Sequence, residues 1–338
     1  AFGTPASGYR AAIGTLAALG AFALVDSGNA ERFPARAGTG TGALSAAEVS
    51  RILEEGLRIA GRTRAQIRRP LGSAAEVSVT VVDANGDILG LARTADAPVF
   101  GTDVAVQKAR GALLFSRPDA FARLLALPPA AYLVPAGTAS APGDWARGFR
   151  DFVGEGGALD GGTAWSTRAI GNLHRPTYPD GIGGTPPGPL SHGFASWSPF
   201  NVGFQLDLVY NQVVRGALGD ASTGCAGRAA PGAPAGADDT GLALARNGIQ
   251  VFPGGIPVYR DGVLVGAVGV SGDGVDQDDM VAFLGLANAA RALGTGLANA
   301  APAIRADRLA PRDARLRYVQ CPQAPFNGST EQDACAGL

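Results

Sequence analysis

Apolar and polar positions change period along this chain in a way that lays out its elements. Ser45-Ala46-Ala47-Glu48 has the form of a capping box, with Leu44 and Val49 placed as a hydrophobic staple across it. Val49, Ile52, Leu53, Leu57, Ile59 and Ala60 then fall on one face of a helix, and Pro70 ends what remains of that pattern. At Val77 the period becomes two: Val77, Val79 and Val81 alternate with Ser78, Thr80 and Val82, which predicts a strand. Asn85-Gly86 supplies the positive φ angles of a tight hairpin, so Ile88–Ala92 is expected to return antiparallel. After the loop Arg93–Phe100 a helix is expected over about Thr102–Ser116, and Pro118-Asp119 opens a shorter one.

The same grammar recurs near the other end. Ile256–Arg260 and Val263–Ser271 read as strands around an Asp261-Gly262 turn. Gly272-Asp273-Gly274 breaks the second strand, and Asp276-Gln277-Asp278-Asp279 starts a helix to about Leu293, its acids placed at the positive end of the helix dipole. Two hairpins with helices between and after them give an α+β arrangement, an antiparallel sheet covered by helices. The apolar stretch Ala11–Val25 resembles a signal-peptide core, with Ser27–Ala30 as a small-residue cleavage site. The preferred reading is an ordered segment, two strands at Ala18–Val25 and Glu31–Pro34 around a turn at Asp26–Asn29. Either way it is too short and too weakly apolar to span a membrane.

Composition narrows the chemistry. Lysines and arginines number 28 against 29 aspartates and glutamates, a net charge of −1, with no basic run to bind nucleic acid or an anionic membrane. The 50 glycines and 23 prolines gather in Arg175–Gly193 and Gly219–Gly241, which are expected as loops. Lys108 is the only lysine, in an arginine bias that suits a GC-rich genome. An ammonium is a compact donor whose pKa drops readily on burial, so this position is singled out as one that a guanidinium would not serve. The only methionine is Met280, so the first residue is no translation start and a removed leader is expected, placing the protein as secreted, periplasmic or on the cell surface. Cys321 and Cys335, 14 positions apart in a polar tail, suit a disulfide. Cys225 is then the odd thiol, although its pairing with either of the others stays open. No His or Cys spacing matches a metal site, and His174 and His192 each lie in a Pro/Gly-rich loop, better placed to steady the loop than to ligate iron.

Five blocks carry a family resemblance: Val81–Gly86, Asp96-Ala97-Pro98, Ala105–Ala109, Gly254–Val258 and Val265–Gly272. In order and internal spacing they resemble the GlcG/HbpS-type haem-binding family, over about Ala43–Ala126 and Asn247–Leu293. The resemblance implies a profilin-like fold of about five antiparallel strands covered by helices, a homo-oligomer, and haem as cofactor. It also places Lys108, Gly254, Gly255 and Pro257 near a pocket on the sheet. Lys108 would there pair with Asp83 or Asp96, or hold an acidic group such as a haem propionate. The glycine pair doubles as a strand bend for close packing. The chain then divides into an N-terminal segment (1–42), two halves of the family domain (43–126 and 247–300), a loop-rich insertion (127–246) and a tail (301–338). The insertion holds all three tryptophans, Trp145, Trp165 and Trp197, with helices expected at Phe149–Phe152 and Val202–Val214.

Haem ordinarily takes His, Cys, Met or Tyr as axial ligand, and the family core offers only Met280 and Tyr259. Three functions follow: an exported protein binding haem or another small planar or acidic molecule; a structural subunit of an extracellular oligomer or filament; and an enzyme using Lys108 as base or Schiff-base nucleophile. No catalytic triad, carboxylate pair or phosphate loop supports the third.

Overall fold

The computed structural model describes residues 7–133, 140–179, 183–197, 203–218, 242–245 and 247–338. Seven antiparallel strands form one sheet: β1 (Tyr9–Ala11), β2 (Phe22–Leu24), β3 (Ser78–Asp83), β4 (Ile88–Arg93), β5 (Gly255–Arg260), β6 (Val263–Ser271) and β7 (Leu297–Ala298). Their order is β1-β2-β4-β3-β6-β5-β7. The two hairpins read from the sequence meet at the centre, where β3 pairs with β6 from Ser78↔Ser271 to Asp83↔Gly266. The expected count of about five strands is thus exceeded by the short edge strands. The N-terminal segment accounts for two of them. Its Asp26–Asn29 turn forms, with Asp26 Oδ1 accepting from Gly28 N at 2.8 Å, but only the bridge Val25↔Glu31 continues the expected second arm. Instead the chain folds back through a 3-10 turn at Gly14–Leu19, pairing β1 with β2.

Helices cover both faces. α1 (Ala46–Arg62) and α7 (Val275–Leu293) lie on one, packed on Val79, Val81, Leu89, Ile256, Val258, Val268 and Val270. The predicted capping box is present: Ser45 N donates to Glu48 Oε2 at 2.8 Å, and Glu48 N to Ser45 Oγ at 3.3 Å. Burial alone would raise the Glu48 carboxyl, but bonds from Arg260, Ser45 and Thr295 outweigh it and hold the group at about 2. Its contribution to stability is therefore full above its ordinary 4.5 and is lost as the pH falls toward 2.

The opposite face carries α2 (Gly101–Ser116), and here the sheet is paved with small residues. A Cβ at Gly269 would lie 1.9 Å from Ala105 O, and one at Gly255 would lie 2.4 Å from Lys108 O. Glycine at these two positions lets the backbone of α2 rest on that of the strands. The C-terminal end of α2 enters a second core. Leu114 and Phe115 pack with Trp145, Phe149, Trp165, Ile170 and Phe204. These come from α4 (Pro142–Val153), α5 (Thr167–Asn172), α6 (Phe204–Ala217) and a connection, and α3 (Ala120–Leu125) adds Ala120 and Leu124. The described part of the insertion is therefore a packed helical layer: Asp207 of α6 accepts from Trp145 Nε1 at 2.8 Å and from Tyr132 Oη.

The tail binds the first core to the second. Ser166 Oγ donates to Tyr318 O, and the Phe326 ring lies 4.2 Å beneath the guanidinium of Arg62. Cys321 and Cys335 are joined by a disulfide, while Cys225 lies outside the described residues. Among the described residues no helix is long and apolar enough to cross a membrane.

Gly269→Ala is expected to lower stability by about 3 kcal/mol or more, because the atom it meets is backbone. Gly61→Ala, on open α1 surface, should gain up to about 1 kcal/mol. Urea denaturation of the pair measures both. Adding reductant to the same measurement on the native chain should cost about 3 kcal/mol by opening the tail loop.

Candidate functional site

Lys108 points from α2 toward the sheet, and its Nζ donates to Asp278 Oδ2 at 2.8 Å and to Val270 O at 2.9 Å. The side chains are 2% and 4% exposed. An ion pair this deep ties α2, β6 and the first turn of α7 together. Burial pushes the Asp278 carboxyl up to about 6, with the Lys108 ammonium pulling the other way. The neighbouring Asp279 accepts from Gly254 N at 2.7 Å, from Gln320 N at 3.0 Å and from Arg168 Nε. Arg168 reaches on to Asp276 at 2.6 Å. The acidic run at the start of α7 is thus spent on three separate ties, to helix, strand and tail.

Gly254 has φ +114°, and a Cβ there would sit 2.4 Å from Val270 O and 3.2 Å from Lys108 Nζ. Gly255 N donates to Thr167 Oγ1 at 2.8 Å. The glycine pair is the bend that lets the strand pass under the lysine. Pro257 lies buried in β5, opposite Ala267.

Neither aspartate expected to pair with Lys108 does so. Asp83 closes its own hairpin, accepting from Asn85 N at 2.8 Å and Asp87 N at 3.0 Å, and burial pushes its carboxyl up. Asp96 is at the surface, with a side chain 84% exposed and bound to Arg68 at 2.6 Å. The partner is Asp278, which the sequence disguised as an ordinary dipole-complementing acid. The available signal was density, three acids in four positions where one or two suffice. His174 is buried in the insertion, its carbonyl accepting from Trp197 Nε1 at 3.0 Å, and the His192 ring rests 5.4 Å from that of Trp145.

Above the ion pair opens a cleft of about 390 Å³. Its walls are Ile67, Phe100, Val104, Phe252 and Val275; its polar positions are Lys108, Gln250, Ser271, Asp273 and Asp278. Ile67 and Phe100 are 62% and 63% exposed at the mouth. A smaller cavity of about 260 Å³ lies toward the N-terminal segment, lined by Leu24, Phe33, Ile88, Leu91, Val106 and Arg110 among others. No group of three His, Cys, Asp or Glu among the described residues is placed to hold a metal ion.

Residues 213–287 match the family model described as "Haem degrading protein HbpS-like". The matched span contains β5, β6, Gly254, Gly255, Asp273 and Asp278, so the resemblance to the GlcG/HbpS-type family read from the sequence holds over the second half of the sheet. No curated protein matches the chain. Among solved structures, a PduOC:heme complex is 16% identical, covering 72% of this chain and 93% of that one at a TM-score of 0.30. The protein ORFY of Klebsiella pneumoniae, from family DUF336, is 15% identical, covering 75% of this chain and 94% of its own at a TM-score of 0.34.

Lys108→Met and Asp278→Asn are each expected to cost about 3–5 kcal/mol, since each strands a buried partner, whereas Lys108→Met/Asp278→Leu should cost less than their sum. Because Asp278 sits above its ordinary 3.8, its contribution is full below that pH and is lost as pH rises through about 6. Removing the ammonium should move this midpoint higher still, which carboxyl carbon NMR across a pH series reads directly.

Proposed function

We propose that this chain is a small-molecule binding protein whose ligand, a flat and largely apolar ring of the haem-related class, lies in the cleft above Lys108 and Asp278. The observation that carries the reading is the cleft itself, an open slot with five apolar wall residues over a buried ionic floor. Its volume falls within the range of ordinary small-molecule sites. The HbpS-like match over residues 213–287 supports the class of ligand.

The lining fits the ring rather than the iron. Among the described residues none around the cleft is His, Cys, Met or Tyr, so iron would find no axial side chain among them. Phe100, Phe252 and Val104 grip a ring by its faces, over a floor formed by the Lys108–Asp278 pair. The buried pair holds floor and walls in register whether or not a ligand is present. Export belongs to the same proposal and is supported by the Cys321–Cys335 bond, which persists in oxidising compartments.

Titration with haem and with iron-free protoporphyrin, followed by absorbance and by quenching of tryptophan fluorescence, tests this. Similar affinities for the two are expected, and Val104→Trp, which fills the cleft from α2, should weaken both by about tenfold or more. Binding that requires iron, or that survives Val104→Trp undiminished, would overturn the placement.

A further inference from the structure

One buried acceptor in the cleft is left unused by the protein. Asp273 follows β6 at the Gly272-Asp273-Gly274 break, lines the cleft, and has a side chain that is 0% exposed. Its Oδ1 accepts from Gln66 N at 2.6 Å and from Gly274 N at 2.8 Å. Its Oδ2 makes no hydrogen bond among the described residues. The facing donor is Arg68 Nε, 3.7 Å away, too far to bond, and it too is buried without a partner. Arg68 is drawn in the other direction, giving one terminal nitrogen to Asp96 Oδ2 at 2.6 Å and the other to Asp96 O at 2.8 Å.

The charges around the cleft point the same way. Lys108 is matched by Asp278, whereas Asp273 is matched by Arg68 only through a 3.7 Å ion pair that includes no hydrogen bond to Oδ2. A charged acceptor shielded from water without a hydrogen bond is costly, and a donor that reaches it recovers that cost. An anionic acceptor at the same depth would face the Asp273 oxygen that has no donor of its own.

We infer that Asp273 sets which ring ligands this cleft prefers, favouring one that carries an ammonium or outward N–H directed at Asp273 Oδ2 and requiring that any carboxylate stay at the mouth. This rests on the reading of the cleft as the binding site. It adds the polarity of the ligand and the direction in which it enters.

Two probes of one shape and opposite charge, 2-naphthylmethylammonium and 2-naphthoate, test the inference on the full chain by calorimetry. The ammonium is expected to bind about tenfold more tightly, the order of one charge-assisted hydrogen bond. Asp273→Asn keeps an oxygen for the two backbone donors and should abolish the preference; Arg68→Met, which removes the distant competitor, should strengthen the ammonium probe. Equal affinities in the native chain, or a preference that persists in Asp273→Asn, overturn the inference. Should Asp273→Asn not fold, as circular dichroism would show, Arg68→Met decides alone, and an ammonium affinity that fails to rise counts against it. Val104→Trp separates the two levels. If it weakens two probes of equal affinity, the cleft stands and only the role of Asp273 falls; if it weakens neither, both fall together.

Discussion

The ion pair between Lys108 and Asp278 is the constraint on which the arrangement depends. It joins groups on opposite faces of the sheet near the end of the central strand β6: a helix on one face, the first turn of a helix on the other, and through Val270 O the strand between. A buried charge without its partner costs several kcal/mol, so neither α2 nor α7 can shift relative to β6 without exposing or stranding one. A guanidinium would not serve in its place. Gly254 approaches so closely that even a Cβ would sit 3.2 Å from the ammonium, and a planar fork is larger than the space a point donor fills. This gives the solitary lysine of an arginine-rich chain a geometric reason.

Glycine on the α2 face of the sheet is the complement of that pair. With Gly255 and Gly269 the helix backbone lies directly on the strands, which shortens the reach the lysine needs. The cleft follows from the same closeness. The bend at Gly272 and the loop carrying Ile67 border a space that is roofed by nothing among the described residues. The cleft runs along the Phe100, Val104 and Lys108 face of the helix, beside a start that is itself tight, since a Cβ at Gly101 would lie 2.7 Å from Ser271 O.

The elements around the two hairpins were legible in the sequence because their signals are local. The capping box at Ser45, the period-two valines after Val77 and the Asn-Gly and Asp-Gly turns each depend on neighbours a few positions away. Lys108 stood out by its uniqueness. Its partner did not: Asp278 is 170 residues distant, and in isolation an acid in a first helical turn reads as a response to the dipole. The edge strands at Tyr9–Ala11 and Leu297–Ala298 are too short to show a period. The insertion hid its core because its apolar residues, Trp145, Trp165 and Phe204 among them, are scattered over short helices and connections and converge only in three dimensions. Asp273 was read as part of a strand break, since a side chain's unused oxygen has no sequence signature.

The pairing of β3 with β6 has a consequence for how the molecule comes into being. These central strands lie in contact along six residue pairs, yet they belong to segments separated by α2 and the whole insertion. Each hairpin closes through a short turn and can form early; the seam between them closes only after that long intervening chain has been gathered in, and loop closure of this kind governs speed more than stability. The insertion therefore stands in the folding route as well as in the structure. The helical layer packed on Leu114 and Phe115 at the end of α2 occupies the chain that this long closure must span.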